Sequence, residues 1–290
     1  MKLLISGANG QLGLALTRRL RGTHEIVTVA RNVFDLGDVK NCREVLERER
    51  PDVLLNCAAY TAVDRAESEP ELAHAINAEG PSHLAKSCLD LGIFLIHFST
   101  DYVFDGRATH PYVETDATAP TSVYGCTKLE GEAGIAAISP RHLILRLSWV
   151  YSNDGANFYK TMLRLAQDRP LLRVVADQWG VPNYTTDLAD AVACALDRPP
   201  AELRLLSGLY HLSSHGKTTW YDFAYAIMTG AHLHERVTVE PILTSEYPTA
   251  AKRPAFSVLD GSRFAATFGW VAPHWRDGLH RCLAERAGTA

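Results

Sequence analysis

No C-x-x-C pair, no long apolar run, no low-complexity stretch, no internal repeat and no excess of either charge occurs in these 290 residues. Each absence removes a class of protein. The six cysteines, Cys42, Cys57, Cys88, Cys126, Cys194 and Cys282, are scattered, which suits buried, reduced thiols of a cytoplasmic protein rather than a disulfide framework. The most apolar stretch, Leu91 to Phe98, is broken by Gly92 and His97 and falls far short of the roughly 20 residues that cross a bilayer. Leu3 to Ile5 is too short for the apolar part of a signal peptide, and glycines follow at once. A net charge of −4 with both signs interspersed offers no basic stripe to nucleic acid or to an anionic membrane. What remains is ordinary for a soluble globular chain, 47% apolar and 21% charged. The length holds one large α/β domain, or one domain with a smaller lobe.

Strand-like and helix-like segments alternate through the first half. Short apolar strands are expected at Leu3–Ser6, Ile26–Ala30, Val53–Cys57, Ile93–Phe98 and Leu143–Ser148, and helices at Gln11–Leu20, Val39–Arg48, Glu71–Leu91 and Ser122–Ala137. Short apolar strands separated by helices imply a parallel sheet covered on both faces, and right-handed crossovers make it doubly wound, a Rossmann-type α/β fold. After about Trp149 the pattern loosens. Helices are expected at Phe158–Gln167, Thr186–Leu196, Trp220–Met228 and Trp275–Glu285, with strands near Leu171–Val175 and Leu209–Leu212. Prolines accumulate there, Pro241 among them, as in loops over a substrate lobe. The division expected is 1–150 for a dinucleotide-binding domain and 151–290 mainly for a smaller C-terminal substrate lobe, with part of the chain returning to the first.

The first strand runs straight into Gly7-Ala-Asn-Gly10-Gln-Leu-Gly13 and then an amphipathic helix. In that setting Gly7 permits the sharp turn, Gly10 lets backbone approach a pyrophosphate, and Gly13 lets helix and strand pack closely, with the helix N–H groups facing the anion. Further on, Tyr124-Gly-Cys-Thr-Lys128 opens a helical segment, and i, i+4 spacing puts both side chains on one face, roughly 6 Å apart at Cβ. A phenol titrates near 10 and shuttles protons poorly at neutral pH; a neighbouring ammonium is expected to lower that value. Upstream, Ser99-Thr100-Asp101-Tyr102 ends a strand, where the Thr100 hydroxyl can hydrogen-bond a substrate carbonyl oxygen or tune the tyrosine.

G-x-x-G-x-x-G, a strand-end Ser/Thr and Y-x-x-x-K, in that order, resemble the short-chain dehydrogenase/reductase superfamily. Longer runs narrow the likeness. Gly7–Gly13, Asn56-Cys-Ala-Ala-Tyr-Thr-Ala-Val-Asp64, Ser99-Thr-Asp-Tyr-Val-Phe104, Tyr124–Lys128, Arg146-Leu-Ser-Trp-Val-Tyr151, Asp177-Gln-Trp-Gly-Val-Pro182, Gly208-Leu-Tyr-His-Leu212, Thr218-Thr-Trp220 and Lys252-Arg-Pro254 resemble the dTDP-4-dehydrorhamnose reductases nearly end to end. The resemblance implies NAD(P)H-dependent reduction of the C4 ketone of dTDP-4-dehydro-L-rhamnose. It implies Tyr124 as proton donor, Lys128 on the nicotinamide ribose, and Thr100, Asp101 and Trp149 on the sugar. It also places Gly10, Gln11 and Leu12 at the pyrophosphate and Asp35 and Leu36 at the adenine. Ala59, Tyr60 and Thr61 would then lie along the cofactor channel, with Phe98 beneath the nicotinamide. Phe98 and Trp149 read equally well as core aromatics. Arg253 and Lys160 are candidates for the substrate diphosphate, or plain surface charges.

The second strand ends Val29-Ala30-Arg31, with no acid for a ribose 2′-hydroxyl and with a cation suited to a 2′-phosphate, so NADPH is the expected cofactor, with room for NADH. Related dehydratases carry Asp-Glu after the threonine, the glutamate serving as the C5 base; here Tyr102 stands in its place, favouring a simple ketone reduction over dehydration or epimerisation. Some relatives dimerise through magnesium held partly by a glutamate on the first helix. The matching position here is Ala15, which argues against that metal and leaves a monomer or weak homodimer as the expectation. His232-x-His234 has no third ligand at useful spacing, so no metal is expected. A non-enzymatic alternative is a regulatory subunit of the kind that partners methionine adenosyltransferase, against which the intact Tyr124/Lys128 pair speaks.

Overall fold

Strands too short and too apolar to face water set the plan. In the computed structural model, which describes residues 1–288, the chain begins β1 (Lys2–Ser6), α1 (Gln11–Leu20), β2 (Glu25–Val29), α2 (Val39–Glu49), β3 (Val53–Asn56). It continues α3 (Val63–Ala66), α4 (Pro70–His74), a π-helical turn at Ala75–Glu79, α5 (Gly80–Leu91), β4 (Phe94–Thr100), a 3₁₀ turn at Asp101–Val103, α6 (Val123–Ile138) and β5 (His142–Leu147). There follow β6 (Val150–Tyr151), α7 (Phe158–Asp168), β7 (Leu171–Val175), β8 (Trp179–Gly180), β9 (Asn183–Tyr184), α8 (Thr185–Leu196), α9 (Pro200–Leu205) and β10 (Gly208–His211). The last elements are β11 (Thr218–Thr219), α10 (Trp220–Gly230), β12 (Thr238–Ile242), α11 (Ser262–Phe268) and α12 (Trp275–Gly288).

Six strands form one parallel sheet in the order β10-β5-β4-β3-β1-β2. Every residue of β3, β4 and β5 is buried, as a sheet covered on both faces requires. Alternation divides the strands between two cores. Leu3, Ile5, Leu55 and Ile96 join Leu16 of α1, Leu188 and Val192 of α8 and Phe264 of α11. Leu4, Leu54, Leu95 and Ile144 join Leu46 of α2, Leu84 and Cys88 of α5 and Ile135 of α6. A third core is built from α7, β7, α10, β12 and α12 around Tyr159, Leu172, Phe223, Ile227 and Trp275. Because α8, β10 and α11 lie on the first core, residues beyond 150 contribute to both bodies.

Three expectations need correction. The helix expected at Glu71–Leu91 is α4, a π turn and α5. Pro81 has no N–H to give the Asn77 carbonyl, and the wide turn absorbs that missing bond while burying the Asn77 side chain. Pro241 lies not in a loop but within β12, which pairs in parallel with β7 alone; an outer strand tolerates the missing donor. The strand expected to stop at Phe98 runs on to Thr100, so Ser99 and Thr100 hold strand geometry. Among the described residues, no helix is long and apolar enough to cross a membrane.

Candidate active site

The chain runs from β1 outward to β2 and returns to β3 on the other side of β1, and such a reversal leaves a crevice at the carboxyl ends of the strands. A crevice of about 900 Å³ opens there, lined from the glycine turn after β1 to Trp149 after β5. Gly7 has φ of 63°, and a Cβ on it would lie 2.8 Å from the Ala58 nitrogen; one on Gly13 would meet the Gly7 carbonyl oxygen at 2.4 Å. Both positions therefore need glycine. Gly10 caps α1 with no side-chain hydrogen bond, leaving the helix end open to an anion.

Gln11 lines the crevice, but its side chain holds the segment after β6. Its Oε1 accepts from Asn157 Nδ2 (2.7 Å) and Ser152 Oγ (3.1 Å). Only its backbone is thus free for a diphosphate. Leu12, Arg31, Asp35, Leu36, Ala59 and Thr61 all line the crevice. Arg31 is largely exposed, 3.5 Å from the Asp35 carboxylate, so the expected phosphate reader and the expected adenine neighbour form a loose ion pair. Tyr60 is clamped by the π turn: its N–H donates to Asn77 Oδ1 (2.9 Å) and its carbonyl accepts from Asn77 Nδ2 (3.0 Å).

At the inner end stand Phe98, Thr100, Asp101, Tyr102, Tyr124 and Lys128. Ser122 caps α6 by accepting from the Gly125 N–H (3.2 Å). A Cβ on Gly125 would sit 2.3 Å from the Tyr102 carbonyl oxygen, so that glycine lets the helix press against the turn after β4 and brings Tyr124 beside Thr100, whose hydroxyl favours the ionised phenol. Thr100 Oγ1 donates to Asp101 Oδ1 (3.1 Å) and accepts from the Tyr102 N–H (3.2 Å). Burial pushes the Asp101 carboxyl up to about 6, against the pull of the neighbouring Ser257 and Thr100 hydroxyls.

Lys128 is 1% exposed. Its Nζ lies 2.7 Å from the Phe98 carbonyl oxygen and 3.1 Å from His97 Nε2, and burial lowers it to about 8 while Glu132 draws it back up. The expectation that this amine holds the phenol down is not met. Burial pushes Tyr124 up to about 12, the Thr100 hydrogen bond opposes the rise, and no charge on Lys128 figures among the causes. Desolvation sets the phenol's value, and the Lys128 amine is turned to His97 and Phe98.

Trp149 has φ of 41°, costly for a bulky side chain. It stacks on Trp220 with ring centroids 3.4 Å apart and 7° between planes, and a Cβ on Gly180 would lie 2.4 Å from its ring. Arg253 stands apart: it pairs with Asp64 at 2.8 Å and is not among the crevice residues. Lys160 is exposed on α7. Sequence reasoning missed Asn56, Asn77, His97, Asn157 and Trp220. Asn56 and Trp220 lie within the quoted family motifs, and that was the only available signal.

A family model described as the RmlD substrate binding domain matches residues 1–287. The dTDP-4-dehydrorhamnose reductase of Burkholderia thailandensis is 42% identical over 294 residues, covering 98% of this chain and 99% of its own. A solved dTDP-4-dehydrorhamnose reductase from Clostridium acetobutylicum superposes with a TM-score of 0.93 at 39% identity, covering 99% of this chain and 100% of the other. One from Bacillus anthracis, in complex with NADP, gives 0.91 at 36%, covering 98% and 99%.

Proposed function

The chain belongs to the family described as the RmlD substrate binding domain, and from that membership we propose that it reduces the C4 ketone of dTDP-4-dehydro-L-rhamnose to dTDP-L-rhamnose with NADPH. The observation that carries this reading is the meeting of Thr100, Tyr124 and Lys128 at the inner end of a crevice whose outer end is a glycine turn where no Cβ fits.

The residues present fit a dinucleotide. The open end of α1 and the Gly10–Leu12 backbone would take the diphosphate, Leu36 with Asp35 the adenosine, and Arg31 a 2′-phosphate. NADPH, when bound, supplies the hydride. Tyr124 does the acid's work: a phenol near 12 is protonated at neutral pH and can still give its proton to the more basic alkoxide formed at C4. Thr100, whose proton goes to Asp101 in this structure, would turn it to the ketone oxygen once substrate is bound. Lys128, near 8, is mostly charged at pH 7 and would hold the nicotinamide ribose. Asp101, ionised above about 6, accepts from sugar hydroxyls, and the Trp149 ring gives the sugar an apolar wall. Arg253 would exchange Asp64 for the substrate diphosphate.

Tyr102 supports reductase over dehydratase or epimerase. It occupies the position of the carbon base, and burial raises its phenol well above the ordinary range, where it cannot take a proton from carbon. The enzyme would act in the cytoplasm on a small nucleotide sugar, as a monomer or weak dimer. Ala15 is buried in the first core and has no carboxylate to offer a metal. The test follows NADPH absorbance with dTDP-4-dehydro-L-rhamnose generated in situ and with UDP- and GDP-linked keto sugars as controls. Oxidation confined to the dTDP sugar is expected; no oxidation with any of them overturns the reading.

A further inference from the structure

Four buried polar side chains form a chain that the reaction described above does not use. Ser6 Oγ donates to Asn56 Oδ1 (2.7 Å), Asn56 Nδ2 lies 3.0 Å from His97 Nδ1, and His97 Nε2 lies 3.1 Å from Lys128 Nζ. None of the four is more than 1% exposed. Sheet register builds the chain: Ser6 pairs with Asn56 across β1 and β3, and Asn56 with His97 across β3 and β4. The same three strands one residue earlier carry Ile5, Leu55 and Ile96 in the same register, so the sheet has no need of polar groups there. Buried polar groups are expensive unless satisfied; this set is satisfied only as a unit ending on Lys128.

We propose, resting on the reading of the crevice given above, that His97 is a positioning residue that acts through Lys128: its Nε2, with the Phe98 carbonyl, fixes the amine at the crevice wall and gives the charged amine a buried acceptor, while Asn56 and Ser6 hold the ring. The Asn56 carboxamide can present either end to the ring. With its oxygen toward Nδ1, that nitrogen carries the proton and the Nε2 lone pair accepts from the ammonium. With its nitrogen toward Nδ1, Nε2 carries the proton and only an uncharged amine can receive it. The structure shows the second arrangement, with Ser6 donating to the amide oxygen; protonating Lys128 calls for the first, in which the amide turns over and Ser6 Oγ accepts from it, so the chain responds to the charge on Lys128.

The ring is kept neutral by burial first, then by Lys128 and by His142 on β5. Glu132 on α6 favours the ammonium, and toward the crevice Asp101 opposes ionisation of Tyr124. Replacing His97 by an apolar residue removes the acceptor and leaves the burial, so the amine should become a weaker base.

The test is an NMR titration of lysine side chains in the full-length protein, with the Lys128 signal assigned by its loss in Lys128→Met. His97→Phe is expected to lower the Lys128 midpoint by about one pH unit, roughly tenfold in proton affinity. It should move the alkaline limb of kcat the same way with little change in KM for the keto sugar. His97→Gln, whose amide oxygen can reach the amine, is expected to restore both. An unmoved midpoint and limb, with only the melting temperature lowered, would make His97 a packing residue and overturn the proposal. Should His97→Phe not fold, Asn56→Ala, which keeps the ring but frees Nδ1, replaces it with the same expected direction. The titration needs no substrate. A wild-type protein that reduces no keto sugar, while Lys128 still follows His97, overturns the proposed reaction alone; an active protein whose Lys128 ignores His97 overturns this inference alone.

Discussion

Tyr124 is a weaker acid than a free phenol, pushed up to about 12 by burial, yet it is still a stronger acid than the sugar alcohol whose alkoxide it must protonate. It reaches the reaction with its proton in place. Tyr124→Phe removes the proton and is expected to lower turnover by a factor of about 10² or more, with NADPH affinity by fluorescence near that of the wild type; near-normal turnover would assign the proton elsewhere. The charges around it set the pH dependence. In the roles proposed for them, Lys128 works as an ammonium, and its lowered value puts the loss of activity on the rise of pH through about 8. Asp101 works as a carboxylate, and its raised value puts a second loss on the fall of pH through about 6. The kcat/KM profile should therefore be a bell between those limits, and Asp101→Asn should remove the acid limb while leaving the alkaline one. Arg31, exposed beside Asp35, tests the choice of cofactor. Arg31→Ala is expected to raise KM for NADPH far more than KM for NADH, read in paired steady-state assays, and equal losses would deny it the 2′-phosphate.

Elements bring these residues together by devices of unequal visibility. The glycine turn and α1 were legible because strand, glycine spacing and helical period all sit within the first 20 residues. The paired Tyr124 and Lys128 were legible because helical spacing places them on one face. His97 was not: in β4 every residue is buried, alternation carries no information about polar partners, and the partners Asn56 and Lys128 are 41 and 31 residues away. The π turn was hidden for a similar reason, since its stabilising bonds run from Asn77 to the backbone of Tyr60. Nor could periodicity show that Gln11 reaches across to residues 152–157. That bridge predicts a kinetic effect. Gln11→Ala frees the segment lining the crevice opposite α1 and loses hydrogen bonds each worth about 1 kcal/mol. It should raise KM for NADPH by roughly fivefold to tenfold, with kcat little changed, because the segment contacts the cofactor's side of the crevice and not Tyr124.

At the scale of the whole molecule the two bodies are knit by the course of the chain. A boundary near residue 150 would leave β1 to β5 and their helices as a nominal nucleotide-binding unit, but such a fragment lacks the cover of one sheet face. Leu188, Val192 and Leu196 of α8, Tyr210 of β10, and Phe264 and Phe268 of α11 all belong to the core that includes Leu3, Ile5, Leu16, Leu143 and Leu145. Fully burying one such side chain contributes about 1.5–3 kcal/mol, and a domain's net stability is about 5–15 kcal/mol, so the loss of half a dozen of them exceeds what the fragment has in reserve. Residues 1–150 made alone are therefore expected to show no cooperative thermal transition by circular dichroism and no NADPH binding. The full chain should melt in one step that rises in temperature as NADPH is added, since a ligand that binds only the folded state stabilises it by mass action. A fragment that melts cooperatively and binds NADPH would show the sheet to be self-sufficient. The distal α8 and α11 would then serve to attach the substrate lobe and not to complete the nucleotide-binding core.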